Sequence, residues 1–376
     1  MRFGRHRAKL SIVAFETLID VDALRALLAG ATSGTAVAAR AAGSHGAAGT
    51  NTASPADIAV IDCRFDLMNP GAGRLAYLKG HIPGAVYADL NQDLSGPVTS
   101  SSGRHPLPAP EAFAARLGTL GVANATQVIA YDDANGSYAA RLWWMLRWLG
   151  HARAAVLDGG IKAWIATGGP LEVDDEASGA PQQPAKKPGS PQQPTSATAP
   201  GAGEGDRFSP RIDAAAVVST AELAARLHDF SGSRPTPGLR AAPDLRDAPG
   251  VRGSSGLRAA HSLLVDARAA NRYAGKIEPI DAAAGHVPGA VNHPFTENLA
   301  PDGRFLPAAE LRRRWDERLA GASPRAVVAM CGSGVTACHN LLSLEVAGLG
   351  GAKLYAGSWS EWIRDPERPI ARGDTP

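Results

Sequence analysis

Residues 326–337 read AVVAMCGSGVTA and decide how the second half of this chain folds. The apolar run before Cys331 predicts a buried strand, and residues 337–349 carry apolar side chains at helical spacing. Cys331 therefore follows a strand, and small residues connect it to a helix. Backbone N–H groups and the positive end of the helix dipole favour an anion at such a position. The segment predicts a site that stabilises a thiolate, or a persulfide made from it.

The same arrangement occurs in the first half of the chain. The distance along the chain from Asp133 to Trp164 equals the distance from Cys331 to Trp362. We therefore align Asp133 with Cys331, which gives the first half a carboxylate where the second half has a thiol. Further pairs of segments also match, namely 21–28 with 219–227, 62–64 with 266–268 and 81–86 with 286–291. Self-similarity of this length indicates a duplicated domain.

Each half alternates strand-like apolar runs with helical runs. This pattern predicts the α/β class, with two duplicated domains that each contain a parallel sheet covered by helices on both faces. In such sheets, ligand sites lie beyond the carboxyl ends of the strands. The loop after Met330 lies at such an end. We expect the second domain to be reactive and the first to serve as a scaffold or lid.

Composition predicts where the domains begin and end. Stretches rich in Pro, Gly, Gln, Ser and Ala cannot supply a core and indicate linkers or surface insertions. The prediction is a basic tail (1–14), a first domain without a cysteine nucleophile (15–170), a linker (171–210) and a catalytic second domain (211–376). We expect a disordered insertion in each domain, at about 31–56 and about 231–258.

Charge and cysteine content limit the partners and the compartment. Lys plus Arg total 38 against 36 for Asp plus Glu, which gives no reason to expect nucleic acid or an anionic membrane as a partner. No apolar run approaches the roughly 20 residues of a membrane-spanning helix. Three cysteines, an odd and sparse set, favour a reducing, cytoplasmic compartment. Cys331, Cys338 and His339 do not have a usual zinc spacing, so we expect no metal and no organic cofactor.

Together these motifs resemble the tandem-domain rhodanese family of sulfurtransferases. The resemblance depends on the doubled His-x-Pro-Gly-Ala motif, the Asp-Gly-Gly and Tyr-Ala-Gly-Ser-Trp segments and the cysteine loop. It implies that Cys331 takes a sulfane sulfur from a small-molecule donor and passes it to a thiol or cyanide acceptor. A protein acceptor such as thioredoxin is a further candidate partner. Uncharged Gly332 and Ser333 resemble the 3-mercaptopyruvate subgroup, because the thiosulfate subgroup usually has basic residues there.

The resemblance also implies further catalytic residues. Ser333 and His81 match a serine and a histidine that the mercaptopyruvate subgroup is proposed to use, with an aspartate, for proton transfer. The segment 70–77, before His81, lacks that aspartate. His286 occupies the same motif in the other half, and this favours a purely structural histidine in both places.

The expected donor-binding residues belong to the second domain. Arg272 matches the family's substrate arginine, and a guanidinium suits bidentate contact with a carboxylate. Arg268 also matches, although an arginine in an Asp-x-Arg triplet is more often a structural partner. The segment 278–281 contains no second arginine. The loop residues expected to surround the sulfur are Gly332, Gly334, Val335, Thr336 and Ala337.

Three other functions compete with this prediction. The chain could be a thiosulfate sulfurtransferase, or a non-catalytic protein that relays sulfur or senses oxidants through Cys331. A phosphatase with a cysteine loop needs an arginine six positions after the cysteine to bind the phosphoryl oxygens. Ala337 occupies that position, so the sequence argues against a phosphatase.

Overall fold

The computed structural model describes residues 14–30, 58–174, 208–230 and 262–376. Nearly all of the predicted basic tail, both predicted insertions and most of the predicted linker lie outside the described residues. Within the described ranges, no helix is long and apolar enough to cross a membrane.

The first domain contains a parallel sheet of five strands. They are β1 (Leu18–Ile19), β2 (Ile58–Asp62), β3 (Val86–Tyr87), β4 (Gln127–Tyr131) and β5 (Ala154–Leu157). The sheet order is β1-β5-β4-β2-β3, and every pair is parallel. Its helices are α1 (21–30), α2 (Ala72–Lys79), α3 (Pro110–Thr119), α4 (Ala139–Trp148) and α5 (Gly160–Ala166).

The second domain repeats this plan. Its strands are β6 (Leu263–Asp266), β7 (Val291–Asn292), β8 (Val327–Met330) and β9 (Lys353–Leu354), in the parallel order β7-β6-β8-β9. Val217 adds one parallel bridge to Leu354, at the sheet edge where the first domain has β1. The helices are α6 (Thr220–Ala225), α7 (Leu227–Phe230), α8 (Ala270–Tyr273), α9 (Ala308–Leu319), α10 (Thr336–Val346) and α11 (Ser358–Trp362). Short 3-10 turns cover Ala214–Ala216, Phe295–Asn298 and Pro324–Ala326. The predicted fold class is confirmed.

The two domains share one apolar core. Helix α4 of the first domain packs against α10 of the second. Trp143 and Leu146 on α4 belong to the same buried cluster as Leu341 and Leu344 on α10. Burial of each such side chain contributes roughly 1.5–3 kcal/mol. This shared core fixes residues of the first domain beside the cysteine loop of the second.

The strand register corrects one prediction. Pairing of β2 with β4 and of β6 with β8 makes Asp132, the residue after β4, equivalent to Cys331, the residue after β8. The predicted alignment of Asp133 with Cys331 is therefore wrong by one residue. Helix α4 begins seven residues after Asp132, whereas α10 begins five residues after Cys331. The later part of the first half is one residue shorter, so the distance from Asp132 to Trp164 exceeds that from Cys331 to Trp362 by only one residue, and this single residue is the error in the predicted alignment.

Candidate active site

Cys331 lies between β8 and α10, as the sequence predicts, and only 2% of its surface is exposed. Its N–H donates to Oγ of Ser358 at 3.0 Å, and its carbonyl accepts the N–H of Trp359 at 3.0 Å. The sulfur accepts the N–H of Gly334 at 3.1 Å. The backbone is therefore fixed on both sides of Cys331, and a loop amide points at the sulfur.

Two positions in this region require unusual backbone geometry. Gly334 has φ +78°, and a Cβ there would lie 2.4 Å from the carbonyl oxygen of Ala356, so only glycine fits. Ser358 also has a positive φ, +54°, at the place where the first domain has Gly160 with φ +57°. The Ser358 hydroxyl donates to the carbonyl of Tyr355 at 2.9 Å while it accepts from Cys331. These two hydrogen bonds hold Ser358 in a conformation that costs a non-glycine residue energy.

Cys331 opens onto a cavity of about 220 Å³ between the domains. The first domain contributes Leu67, Leu90, Arg104, His105 and Tyr138 to its wall. The second domain contributes Ala267, Arg268, Ala269, Arg272, Phe295, Cys331, Gly332, Ser333, Val335 and Thr336. Most of the predicted site residues therefore meet in one place, but Gly334, Ala337 and His81 do not line the cavity.

The histidine that contacts Ser333 is His105. Its Nδ1 lies 2.8 Å from Oγ of Ser333, and both side chains are buried. Burial lowers the pKa of His105 to about 3, and the nearby guanidinium groups of Arg141 and Arg104 add to this effect. The imidazole is therefore neutral at physiological pH and is able to exchange a proton with the serine hydroxyl.

The predicted pairing of His81 with Ser333 is therefore wrong. Nδ1 of His81 lies 2.9 Å from the carbonyl oxygen of Tyr77, and its ring stacks on that tyrosine at 4.0 Å. In the second domain, His286 makes the same contact with the carbonyl of Tyr273 at 2.9 Å and stacks at 3.8 Å. Both motif histidines hold the turn that follows a helix. The role that the resemblance implied for His81 depends on a contact between the domains, and His105 makes that contact with Ser333.

Arg272 and Arg268 both line the cavity but have different surroundings. Arg272 donates to Glu278 at 2.7 Å and to Asp281 at 3.1 Å. Arg268 donates to Asp266 at 2.6 Å and to the carbonyl of Gly285 at 2.7 Å, as Arg64 does with its own partners in the first domain. Arg268 and its equivalent Arg64 therefore have the same structural role in the two domains. Arg272 has no such equivalent contacts: it is held by two carboxylates and lines the cavity.

A third arginine lines the cavity; it comes from the first domain and was not predicted. Arg104 forms an ion pair with Asp281, and its backbone N–H donates to Oγ of Ser360 at 3.1 Å. A Cβ on Gly332 would lie 2.9 Å from Nη2 of Arg104 and 3.7 Å from both Nη atoms of Arg272. Two guanidinium groups therefore converge on Gly332. The segment 278–281 contains no second arginine, and Arg104 of the first domain lies beside Arg272 at this place.

The charges around the cavity balance. Asp281 pairs with both Arg272 and Arg104, Glu278 pairs with Arg272 and, at 3.5 Å, with Arg268, and both carboxylates are buried. Burial raises the pKa of Asp281, Arg104 opposes that rise, and Glu278 adds to it. Burial acts on Glu278 too, but hydrogen bonds from Arg272 and the loop amides leave its pKa below the usual range. The two arginines are thus neutralised by two acids, with one acid shared between them.

The corresponding loop in the first domain is filled by its own carboxylate. Asp132 is fully buried and accepts N–H groups at 2.8–2.9 Å from Ala134, Gly136, Tyr138 and Ala139. Burial raises the pKa of this carboxyl, and the four N–H donors oppose that rise. The loop after the strand therefore directs N–H groups at a side chain in both domains: four at the Asp132 carboxylate in the first and one at the Cys331 sulfur in the second.

The other cysteines are not placed for exchange with a ligand. Cys63 and Cys338 are buried, and burial raises the pKa of the Cys338 thiol to about 12. Cys338 lies inside α10, as predicted, and donates to the carbonyl of Gly334 at 3.3 Å. Across the described ranges, no group of three or more His, Cys, Asp or Glu side chains is arranged to hold a metal ion.

Comparison with known proteins places both halves of the chain in one family. The family profile described as "Rhodanese-like domain" matches residues 49–167 and 254–365. A Pseudomonas aeruginosa protein named "Probable 3-mercaptopyruvate sulfurtransferase" is 42% identical over 323 residues, 85% of this chain and 94% of that protein. Thiosulfate sulfurtransferase of Rattus norvegicus is 28% identical over 321 residues, 84% of this chain and 88% of that protein. The solved structure of 3-mercaptopyruvate sulfurtransferase from Leishmania major has a TM-score of 0.59 and 30% identity, over 83% of this chain and 72% of that one.

Proposed function

This chain belongs to the rhodanese-like family, and on that basis we propose that it is a sulfurtransferase in which Cys331 carries the sulfur as a persulfide. The observation that carries the proposal is the environment of Cys331. Its sulfur accepts a loop N–H at 3.1 Å and faces a cavity that contains two converging guanidinium groups. Preorganised N–H donors stabilise an anion at no cost of rearrangement during the reaction.

In the proposed first step, the Cys331 thiolate attacks the sulfur of 3-mercaptopyruvate. An S–S bond forms and the C–S bond breaks, and the electron pair of the broken bond passes to the carbon as pyruvate enolate. The proton of the donor thiol moves to the enolate carbon, which gives pyruvate and leaves an anionic persulfide on Cys331. In the second step, a thiolate or cyanide attacks the outer sulfur and releases the Cys331 thiolate. Atoms and electrons balance without an oxidant or a cofactor.

We assign the proton transfer to Ser333 and His105. Their contact of 2.8 Å and the neutral imidazole support this assignment. A neutral His105 is able to accept the serine proton while the serine oxygen accepts the proton of the donor thiol, and the reverse transfer delivers a proton to the enolate. His81 has no part in this step.

The balance of charge supports 3-mercaptopyruvate over thiosulfate as the donor. Arg104 and Arg272 are paired with Asp281 and Glu278, so the cavity has no large excess of positive charge for a dianion. A single carboxylate is able to take one bidentate contact from the convergent guanidinium groups. Thiosulfate remains the alternative donor, and the ratio of kcat/KM for the two donors decides between them.

Persulfide formation is the central test. Purified protein is treated with 3-mercaptopyruvate without a reducing agent, and intact mass is measured. We expect a gain of one sulfur atom that cyanide removes, no gain in Cys331→Ser, and an unchanged gain in the control Cys338→Ser. An oxidant sensor without transferase activity would gain oxygen on peroxide treatment and no sulfur from the donor. Thiocyanate production by Cys331→Ser would contradict the mechanism.

We further propose a division of labour between the domains and a cellular setting. Residues 15–170 form a non-catalytic domain that supplies Arg104 and His105, residues 171–210 are a linker, and residues 211–376 form the catalytic domain. Three unpaired cysteines support a reducing, cytoplasmic compartment. A small thiol or a protein thiol such as thioredoxin is the proposed acceptor there. Turnover rates with cyanide, a small thiol and reduced thioredoxin would rank these acceptors.

A further inference from the structure

Arg141, on α4 of the first domain, lies beneath the cysteine loop of the second. Its side chain is fully buried. Nη1 donates to the carbonyl of Gly334 at 3.1 Å, and Nη2 donates to the carbonyl of His105 at 3.1 Å and that of Leu94 at 3.4 Å. One guanidinium therefore connects the loop that holds Cys331 with the segment that delivers His105.

Arg141 has no carboxylate partner among the described residues, unlike the other deeply buried arginines. Arg64 and Arg268 each form an ion pair of 2.6 Å with an aspartate. Nε of Arg141 is buried and has no hydrogen-bond partner in the described part of the chain. Removing a cation from water without a counter-ion is strongly unfavourable. Carbonyl dipoles alone offset only part of that cost, so the arrangement is incomplete without an anion nearby.

The acidic groups that face Arg141 are thiols. Burial lowers the pKa of Arg141, and the groups that oppose this effect are Cys338 and then Cys331. Cys338 is an unsuitable counter-ion because burial raises its pKa to about 12 and its S–H donates to the Gly334 carbonyl. Cys331 faces the cavity and accepts the Gly334 N–H. Gly334 therefore contacts both groups: its carbonyl oxygen accepts from Arg141, and its N–H donates to the Cys331 sulfur.

We propose that Arg141, beside Arg268 of the second domain, is a counter-charge of the anionic sulfur of Cys331, as thiolate and as persulfide, and that its hydrogen bond to the loop carbonyl of Gly334 holds it in place. The inference rests on the proposed function and deepens it. Arg141 touches neither donor nor acceptor and is a positioning residue. Arg268 of the second domain also interacts electrostatically with Cys331, but it is paired with Asp266. Arg141, which has no carboxylate partner among the described residues, is the buried charge that the first domain contributes to the chemistry.

The test uses the full-length protein and the pH dependence of alkylation at Cys331 by iodoacetamide. Cys63 and Cys338 are buried, and Cys331→Ser supplies the blank. The variants are Arg141→Lys, which keeps the charge, and Arg141→Gln, which keeps a donor without the charge. Arg147→Met on the same helix is the matched control, because Arg147 is half-exposed and pairs with Glu345 at 3.8 Å. If Arg141 had only a structural role, the lysine and glutamine variants would not differ in the pH dependence of alkylation according to their charge.

We expect the midpoint of the alkylation profile to rise by about one pH unit in Arg141→Gln, which is a tenfold lower rate below the midpoint. Arg141→Lys should remain close to the wild type, and Arg147→Met should match it. A glutamine variant with the wild-type profile would overturn the proposal, as would a lysine variant that behaves like glutamine.

A second measurement applies if the glutamine variant does not fold. At a pH below the midpoint of the wild-type alkylation profile, where the free Cys331 is a neutral thiol, conversion to the more acidic persulfide should raise the Tm by about 3 °C, because the persulfide completes the ion pair. No rise in Tm on confirmed persulfide formation would also overturn the proposal. Failure of the wild type to gain sulfur at all would instead count against the proposed function, so the two failures are distinguishable.

Discussion

Asp132 and Cys331 occupy the same position in two copies of one strand–loop–helix unit. The carboxylate of Asp132 accepts four loop N–H groups, and the sulfur of Cys331 accepts one, from Gly334. The first domain therefore holds a carboxyl group where the second has the sulfur that is proposed to react. Under the proposed function, this relationship accounts for a single active half, since the loop of the first domain is already occupied by its own side chain.

Asp132→Asn should destabilise the protein by about 3 kcal/mol, because four N–H donors lose a charged acceptor and face an amide that itself donates. Urea unfolding would measure this loss. Asp133→Asn is the matched control, one residue away, and should change stability by less than about 0.5 kcal/mol. Folded Asp132→Asn should still form the Cys331 persulfide. A larger effect at Asp133 than at Asp132 would contradict the register found here.

His105→Asn should lower kcat with 3-mercaptopyruvate by about 100-fold, because the enolate then lacks its proton source. Thiosulfate turnover should fall much less, since sulfite leaves without protonation. Steady-state kinetics with both donors would measure the difference. The control is His81→Asn, which removes a stacked ring from the framework and should reduce thermal stability while kcat of the folded enzyme stays near that of the wild type. Equal losses with both donors in His105→Asn would argue against proton transfer.

Asp281→Asn should increase the use of thiosulfate. The substitution releases Arg104 and Arg272 from their shared acid and leaves the cavity one unit more positive, which favours a dianion over a monoanion. We expect kcat/KM for thiosulfate to rise about tenfold relative to that for 3-mercaptopyruvate. Asp316→Asn, at an exposed ion pair on α9, should leave the ratio unchanged. A parallel fall for both donors would show that Asp281 only positions the arginines.

Buried neutral histidines should make the protein acid-sensitive. Burial lowers the pKa of His339 to about 3 and that of His293 to about 4. In the unfolded chain these groups titrate near 6.5, so the unfolded state binds protons first and stability falls as the pH decreases from about 6.5 towards those values. Each histidine contributes a slope of up to about 1.4 kcal/mol per pH unit. Urea midpoints at pH 7.5 and 5 would measure this loss, and His339→Gln should show a shallower slope. A slope unchanged by that substitution would exclude His339 as a source.

Local sequence determined the elements that carry the reactive sulfur. The apolar run of β8, the small residues after it and the spacing of α10 place Cys331 correctly, because strand burial and helix periodicity are local properties. The duplication and the α/β class follow from the same periodicities. The capping box of Ser219 and Glu222 at α6 is local in the same sense, since it involves residues three positions apart.

Tertiary structure alone decided which partners surround that sulfur. Arg104, His105 and Arg141 lie in a proline-rich loop and a helix of the first domain, far from Cys331 along the chain, and no local pattern distinguishes them from surface arginines or a structural histidine. Packing of α4 on α10 brings them to the cavity. A sequence motif contains information about residues that are close along the chain. Charge compensation in a buried site depends instead on distances between residues that are far apart in sequence, and only the packing of the two domains sets those distances.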